Sequence, residues 1–183
     1  AFPVAGLVML DKYLCVVGKC FSQVDVFDCE DRFKKTKDIQ VDRMRHPIDM
    51  VGCSVTSQLF VSDWDLGLSR ERDYENIWRV NVNTGICDVY INHGYYYATL
   101  LLVENRLLVT SRDSLLMYDI HSGQRMKNIP YTEDMNKFGV LHAIESNRDT
   151  FFVSHGQSNP GTSTVSEIDS EGRVIRVFDN KQQ

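Results

Sequence analysis

Five histidines, one dense run of charges and a tyrosine triplet are the parts of this 183-residue chain whose types and spacing could do chemistry. The histidines are His46, His93, His121, His142 and His155. Imidazole ligates zinc, but these histidines lack the close ligand spacing of a zinc motif and read as loop histidines with ordinary hydrogen bonds. The charged run holds Asp63, Asp65, Arg70, Glu71, Arg72, Asp73 and Glu75. Paired carboxylates can act as acid and base or bind Ca²⁺. The spacing is not that of an EF-hand and opposite charges alternate, so it reads as a solvated loop with internal ion pairs. Tyr95, Tyr96 and Tyr97 stand in a row, with Trp64, Arg45 and Arg112 expected nearby. Aromatic rings beside guanidinium groups can stack on bases or grip a peptide. Arg32, Lys34, Lys35, Lys37, Arg43 and Arg45 form the one basic cluster, broken by Asp38 and Asp42. Ser154 and His155 are adjacent, but consecutive side chains of a strand point opposite ways, so they are not a nucleophile–base pair. No glycine-rich phosphate loop and no G-x-S-x-G elbow occurs. No catalytic residue, metal ligand or cofactor is therefore assigned.

The elements that must position these groups repeat. RLLVTS at 106–111 has counterparts in YLCVVG at 13–18, LFVSDWD at 59–65 and FFVSHG at 151–156. Taking Leu14, Phe60, Leu108 and Phe152 as markers, the spacings are 46, 48 and 44 residues. A strand follows each marker: QVDVFD (23–28), NIWRVNV (76–82), LLMYDI (115–120) and VSEID (165–169). Their near alternation of apolar and polar residues is the period-2 mark of a strand. A turn comes next (CEDR, NTG, HSG, SEG), where Gly85, Gly123 and Gly172 suit positive φ. FKKTKDIQV, CDVYIN, RMKNIP and VIRVFDN follow as more polar outer strands, and lysines on such a strand blunt edge-to-edge pairing. Upstream of the markers, VAGLVML (4–10), PIDMVGCSV (47–55), YATLLLVE (97–104) and VLHAIE (140–145) are the most apolar and contain small residues, as crowded inner strands do. Each unit is thus four strands, A to D. Four-stranded units of this length are blades of a β-propeller. The fold class is all-β, a β-propeller with four visible blades of four antiparallel strands, over roughly 1–41, 42–92, 93–135 and 136–183. A β-sandwich does not explain the constant spacing. No helical period is sustained.

The B–C and D–A loops of a propeller emerge on one face. Here the B–C loops vary most, and loops on a rigid scaffold are where binding sits. The loops of that face carry seven cations (Lys19, Arg43, Arg45, Arg70, Arg72, Arg112, Lys137) against nine acidic residues (Asp42, Asp63, Asp65, Glu71, Asp73, Glu75, Asp113, Glu133, Asp134). With a net charge of −5 on the whole chain, that balance disfavours nucleic acid as the partner. There is no run of 18 apolar residues, so no membrane-spanning helix is expected. The five cysteines, Cys15, Cys20, Cys29, Cys53 and Cys87, contain no C-x-x-C pair. An odd number without ligand spacing is expected to be reduced thiols packed as small apolar residues, in an intracellular, cytoplasmic setting. The sequence starts without Met and stops at the end of a D strand, which reads as a piece of a longer protein.

LFVSDWDLG followed by NIWRVNV resembles the NHL repeat, in which a Val-x-Asp motif ends strand B. The segment from Leu141 to Asn180 is similar to blades of NHL-type propellers of invertebrate animals, some of them joined to tripartite-motif ubiquitin-ligase modules. The resemblance covers most of the chain and implies about six blades in the whole propeller, with flanking blades or domains. The Asp that ends strand B is kept only as Asp63. Lys19, Arg112 and His155 stand near that place in the other blades, blade 1 has no Gly in its C–D turn, and only blade 2 opens strand A with Pro (Pro47). No RING or B-box zinc pattern is present, so ligase activity is not carried over. Similarity to NHL-fold amidating lyases would imply histidines holding zinc, but their supporting motif is not found. The expected function is a non-enzymatic protein- or peptide-binding scaffold. RNA binding by the same face, and a metal-dependent lyase or hydrolase, are the alternatives. The candidate binding residues are Arg45, His46, Asp63, Trp64, Asp65, Arg70, Arg72, His93, Tyr95, Tyr96, Arg112 and His155.

Overall fold

The computed structural model of the chain describes residues 3–64, 75–93, 99–111, 113–133, 135, 140–147, 149–156 and 163–178, without the side chains of Glu75, His93 and Ser163. Its strands are β1 (Val4–Leu10), β2 (Tyr13–Gly18), β3 (Gln23–Asp28), β4 (Lys34–Gln40), β5 (Pro47–Cys53), β6 (Gln58–Trp64), β7 (Glu75–Asn81), β8 (Cys87–His93), β9 (Leu100–Val103), β10 (Arg106–Thr110), β11 (Ser114–Asp119), β12 (Arg125–Pro130), β13 (Val140–Asn147), β14 (Thr150–Gly156), β15 (Ser163–Asp169) and β16 (Val174–Phe178). They form four four-stranded sheets, each ordered as the chain runs. The alternating sequences make the strands expected of them. In β3, Val24 and Val26 are buried while Asp25 between them is not. The third inner strand is shorter than the run from Tyr97 to Glu104, because β9 starts only at Leu100. The chain divides into two compact units, Ala1–Leu102 and Val103–Gln183.

The ladders repeat in detail. Every C–D pairing carries one register shift, at Val26/Phe27, Ile77/Trp78, Met117/Tyr118 and Glu167/Ile168. A shift also occurs near the start of strand A, at Val4/Gly6, Pro47/Asp49 and Val140/His142. Such one-residue bulges increase the local right-handed twist and end the pairing cleanly.

The C–D turns share a device that the glycines alone did not reveal. Strand C ends on Asp28, Asn81, Asp119 or Asp169. In each turn this side chain accepts backbone N–H groups two to four residues on, from Glu30 and Asp31, Asn83 and Thr84, His121 and Ser122, or Glu171 and Arg173. These are Asx turns, which satisfy donors that the tight reversal leaves unpaired. Gly85, Gly123 and Gly172 then take φ of 75°, 70° and 82°, whereas the first turn places Arg32 and Phe33 at 52° and 57°. Three of the four carboxamide or carboxylate positions titrate. The Lys12 ammonium lowers the Asp28 pKa below its ordinary value, and the N–H of Ser122 lowers that of Asp119. For Asp169 partial desolvation pushes upward, and the bonds from Arg173 override it so that the net shift is down. A depressed folded pKa means that the stabilisation is complete above the unfolded value, about pH 4, and is lost as pH falls through the folded value. Urea midpoints should therefore drop in acid, and the triple variant Asp28→Asn, Asp119→Asn, Asp169→Asn should flatten that dependence. An unchanged acid profile in the triple variant would refute the assignment.

In the first unit, one face of the β1–β4 sheet packs on β5–β8 around Cys15, Val17, Val26, Met50, Val61 and Trp78. The inner strands β1 and β5 approach closely through glycine. A Cβ on Gly6 would lie 2.7 Å from that of Met50, and one on Gly52 would lie 2.6 Å from Val8 Cγ1. Gly52→Ala is therefore expected to lower the unfolding free energy by about 1–3 kcal/mol, the usual cost of overpacking, read from a urea melt. The Asp49 carboxylate accepts the N–H of Leu100 at 2.8 Å, and the Lys37 ammonium donates to the carbonyl of Val82. In the second unit, the Arg106 guanidinium joins the Glu145 carboxylate at 3.0 and 3.2 Å. There the turn at Gly172 seats against Pro130, beside an ion pair of Lys127 with Glu171 at 3.1 Å.

Candidate binding face

Strand β6 ends at a buried carboxylate. Asp63 is 2% exposed. It accepts the N–H of Arg45 at 3.0 and 3.1 Å, the N–H of His46 at 2.6 Å and the indole N–H of Trp78 at 3.2 Å. In return the N–H of Trp64 donates to the carbonyl of His46 at 3.0 Å. The D–A turn of blade 2 is thereby fixed to the end of the neighbouring strand. Val41 and Met44 bury on its inner side, while Arg43, at φ 74°, and Arg45 are exposed. Asp63 is thus a brace within this face rather than part of its contact surface.

The same ladder position in blade 4 is His155, since Pro47 pairs with Asp63 and Val140 with His155. His155 is 8% exposed, with Nε2 2.9 Å from Ser166 Oγ and Nδ1 3.2 Å from the Gly156 carbonyl. Ser166 lies two strand positions from Thr164, the direct partner of His155, and is itself buried. The histidine therefore pairs across the sheet with a serine that sequence adjacency did not suggest, and it too leaves the exposed set. In blade 3 the end of strand B holds Ser111, whose hydroxyl lies 3.1 Å from Asp113 Oδ1 and 3.2 Å from Ser114 Oγ. Blade 1 has Gly18 at this place, not Lys19, because Val4 pairs with Gly18. The position at which one repeat carries Asp is, in three blades, the site of a closed polar cluster.

Around the braced turn lie the residues open to solvent. Arg45 is exposed, and His46 and Trp64 are half-buried. Cys20 is also exposed, at φ 65°, and its Sγ stands 3.5 Å from His46 Nδ1. That corrects the expectation that all five cysteines are packed as small apolar residues. Cys15 and Cys53 are buried, and burial pushes the Cys15 thiol up to about 11. Cys29 and Cys87 are intermediate. Of the other candidates, His93 falls within β8 without a described side chain, and Asp65, Arg70, Arg72, Tyr95, Tyr96 and Arg112 lie outside the described residues. The basic cluster is largely tied down: Lys34 pairs with Asp31, Lys35 with Asp25 and Asp38, and Lys37 with backbone carbonyls. Among the described residues no helix is long and apolar enough to cross a membrane.

Solved structures share this architecture. A chain of a crystal structure of a nidogen/laminin complex matches with a TM-score of 0.69 and 12% identity, over 96% of this chain and 63% of that one. A chain of a complex of S. cerevisiae Dbp5 with Nup159, Gle1, IP6 and ADP matches with a TM-score of 0.63 and 9% identity, over 91% of this chain and 44% of that one. The chain spans less than two thirds of the length of either. No protein-family model and no curated protein matches the sequence. The four four-stranded sheets and these likenesses define the class: an all-β protein of the β-propeller kind, each sheet a blade.

Proposed function

We propose that the chain is a stretch of an NHL-type β-propeller that works as a non-enzymatic scaffold, binding a protein or peptide through the face built from its B–C and D–A loops. The observation that carries the reading is the bracing of that face by Asp63. Backbone held by a buried carboxylate loses little freedom when a partner docks, and preorganisation of this sort raises affinity. It sets Arg45, His46 and Trp64 at the surface, and Arg and Trp are residue types that dominate protein interfaces. The groups that could do acid–base chemistry at the strand ends, Asp63 and His155, are buried and bonded within the fold. A similar fold occurs in a nidogen/laminin complex, which supports a protein as the partner class. The sequence features behind the NHL assignment are Asp63 at the end of strand B and Pro47 at the start of strand A. A cytoplasmic setting goes with the five free thiols.

The test is selection of binding peptides from a displayed library on the immobilised chain, followed by titration of the best peptide. The variant Arg45→Ala, at an exposed side chain, should weaken it at least tenfold and melt near the parent. Unchanged affinity would move binding off this face. Filter binding of single-stranded RNA at low salt decides the nearest alternative: tight, salt-sensitive retention would overturn the protein-binding reading. Stoichiometric zinc in the purified protein, lost in His93→Ala and His155→Ala, would instead favour the metal-dependent enzyme.

A further inference from the structure

Cys20 lies in the turn between β2 and β3, and His46 in the connection that leads from β4 into β5. The Cys20 Sγ stands 3.5 Å from His46 Nδ1. A tetrahedral ion of the zinc class sets the same separation between two of its ligands. With bonds of about 2.3 Å to sulfur and about 2.05 Å to nitrogen, and an angle of about 109°, the two donor atoms lie about 3.5 Å apart. A thiolate and an imidazole are also the ligand types that favour such an ion over calcium or magnesium. We propose that Cys20 and His46 chelate a divalent ion of the zinc class, which takes the place of the proton between Sγ and Nδ1.

Both ligands are held through their backbone. His46 donates its N–H to Asp63 Oδ1 at 2.6 Å, and its carbonyl accepts the N–H of Trp64 at 3.0 Å. The Cys20 turn is closed by the Phe21 N–H on the Gly18 carbonyl at 3.2 Å and by the Lys19 N–H on the Pro3 carbonyl at 2.9 Å. Cys20 itself takes φ 65°, a conformation that residues with a side chain rarely adopt, and in it the thiol meets the imidazole. Little freedom is lost when the ion arrives, because the donor atoms already stand at the required distance. Access is open, since Cys20 is exposed and His46 half-buried. The buried Asp63 carboxylate at the His46 N–H favours a cation there. The side chains of Lys19 and Arg45 oppose it, but they are exposed and solvent screens them.

Among the described residues no third histidine, cysteine or carboxylate joins this pair. The chain thus supplies two of four ligands and leaves two positions to water or to an added donor, an open shell unlike the closed set of a structural site. Half the ligands should give roughly half the binding free energy of a four-ligand zinc site, which corresponds to a Kd of about 1–200 µM. On binding, the thiol S–H bond breaks, an S–metal bond forms and one proton leaves to solvent. Affinity therefore falls as pH falls.

Cobalt titration of the reduced, untagged protein at neutral pH tests the proposal, because a thiolate bound to cobalt gives a charge-transfer band that an imidazole or carboxylate site lacks. One equivalent should bind with release of one proton, and zinc should displace it. Cys20→Ser should abolish the band. His46→Gln, which keeps the backbone N–H on Asp63, should weaken binding at least tenfold. Cys29→Ser, at a half-buried thiol of the same blade, should titrate like the parent. A urea melt of each variant verifies that the fold is kept. The absence of a band at cobalt concentrations well above the expected Kd, a band that survives Cys20→Ser or is lost in Cys29→Ser, or an unchanged affinity in His46→Gln would each overturn it.

Discussion

Asp63→Ala will lower the unfolding free energy of the first unit by about 3–5 kcal/mol, at the far end of what one substitution does. The substitution leaves the N–H groups of Arg45 and His46 and the indole of Trp78 without their acceptor. A buried donor left unpaired costs about 1–3 kcal/mol, and three share this one carboxylate. At a urea slope of about 2 kcal/mol per M, a loss of that size shifts the midpoint by roughly 1.5–2.5 M. Asp63→Asn keeps the volume and one carbonyl oxygen but turns an amide donor toward one of the N–H groups, so about half the loss is expected. The effect should also be local: Arg45→Ala removes an exposed side chain, keeps the backbone bonds and should melt near the parent. An Asp63→Ala midpoint within experimental error of the parent would mean that the turn at 44–46 stands without its brace, and the proposed binding face would lose its physical basis.

Gly172→Ala is the second large effect, and it has an internal control. Gly172 lies at φ 82°, and a Cβ built there would stand 2.1 Å from the carbonyl oxygen of Pro130. Gly85 lies at φ 75° with nothing within 4 Å of the same atom. A left-handed residue with a side chain costs about 1–2 kcal/mol whatever its surroundings. Forcing an atom into packed backbone adds about 1–3 kcal/mol more. Gly85→Ala should therefore cost the first unit about 1 kcal/mol and Gly172→Ala the second about 3 kcal/mol, which lowers the melting temperature of each unit by roughly 5 °C and 15 °C. The Pro130 carbonyl belongs to strand β12, so relief of the clash must move the turn of blade 4 off blade 3. Equal losses at the two glycines would show that the seat on Pro130 contributes nothing.

Most of the strand pattern was legible because alternation and turn chemistry are local. YLCVVG, QVDVFD and PIDMVGC became β2, β3 and β5 at or near the expected bounds, since each run carries its own period and its own punctuation. The capping of those turns by Asp28, Asn81, Asp119 and Asp169 came only with the structure, because a residue type at a strand end does not say which backbone N–H groups its side chain reaches. The candidate site was legible only as a neighbourhood. Residue type marked Asp63 and His155 as chemical groups available for contact. Burial made them internal, because Trp78 and the turn at 45–46 close over one and Ser166 over the other. Cys20 beside His46 carried no signal, as the two stand 26 positions apart and in different blades.

That the chain repeats a four-stranded unit, where each unit turns and which strands are apolar can all be read from the order of its residues. Those properties follow from period, from glycine at reversals, and from spacings of 46, 48 and 44 residues. Folding in three dimensions settled which polar side chains face inward and which glycines are crowded. The glycines depend on a neighbouring blade, since Met50 crowds Gly6 and Pro130 crowds Gly172 from more than forty positions away, whereas Asp63 and His155 turn inward on partners only 11 to 18 positions off, which pairing of strands and turns brings within hydrogen-bond reach.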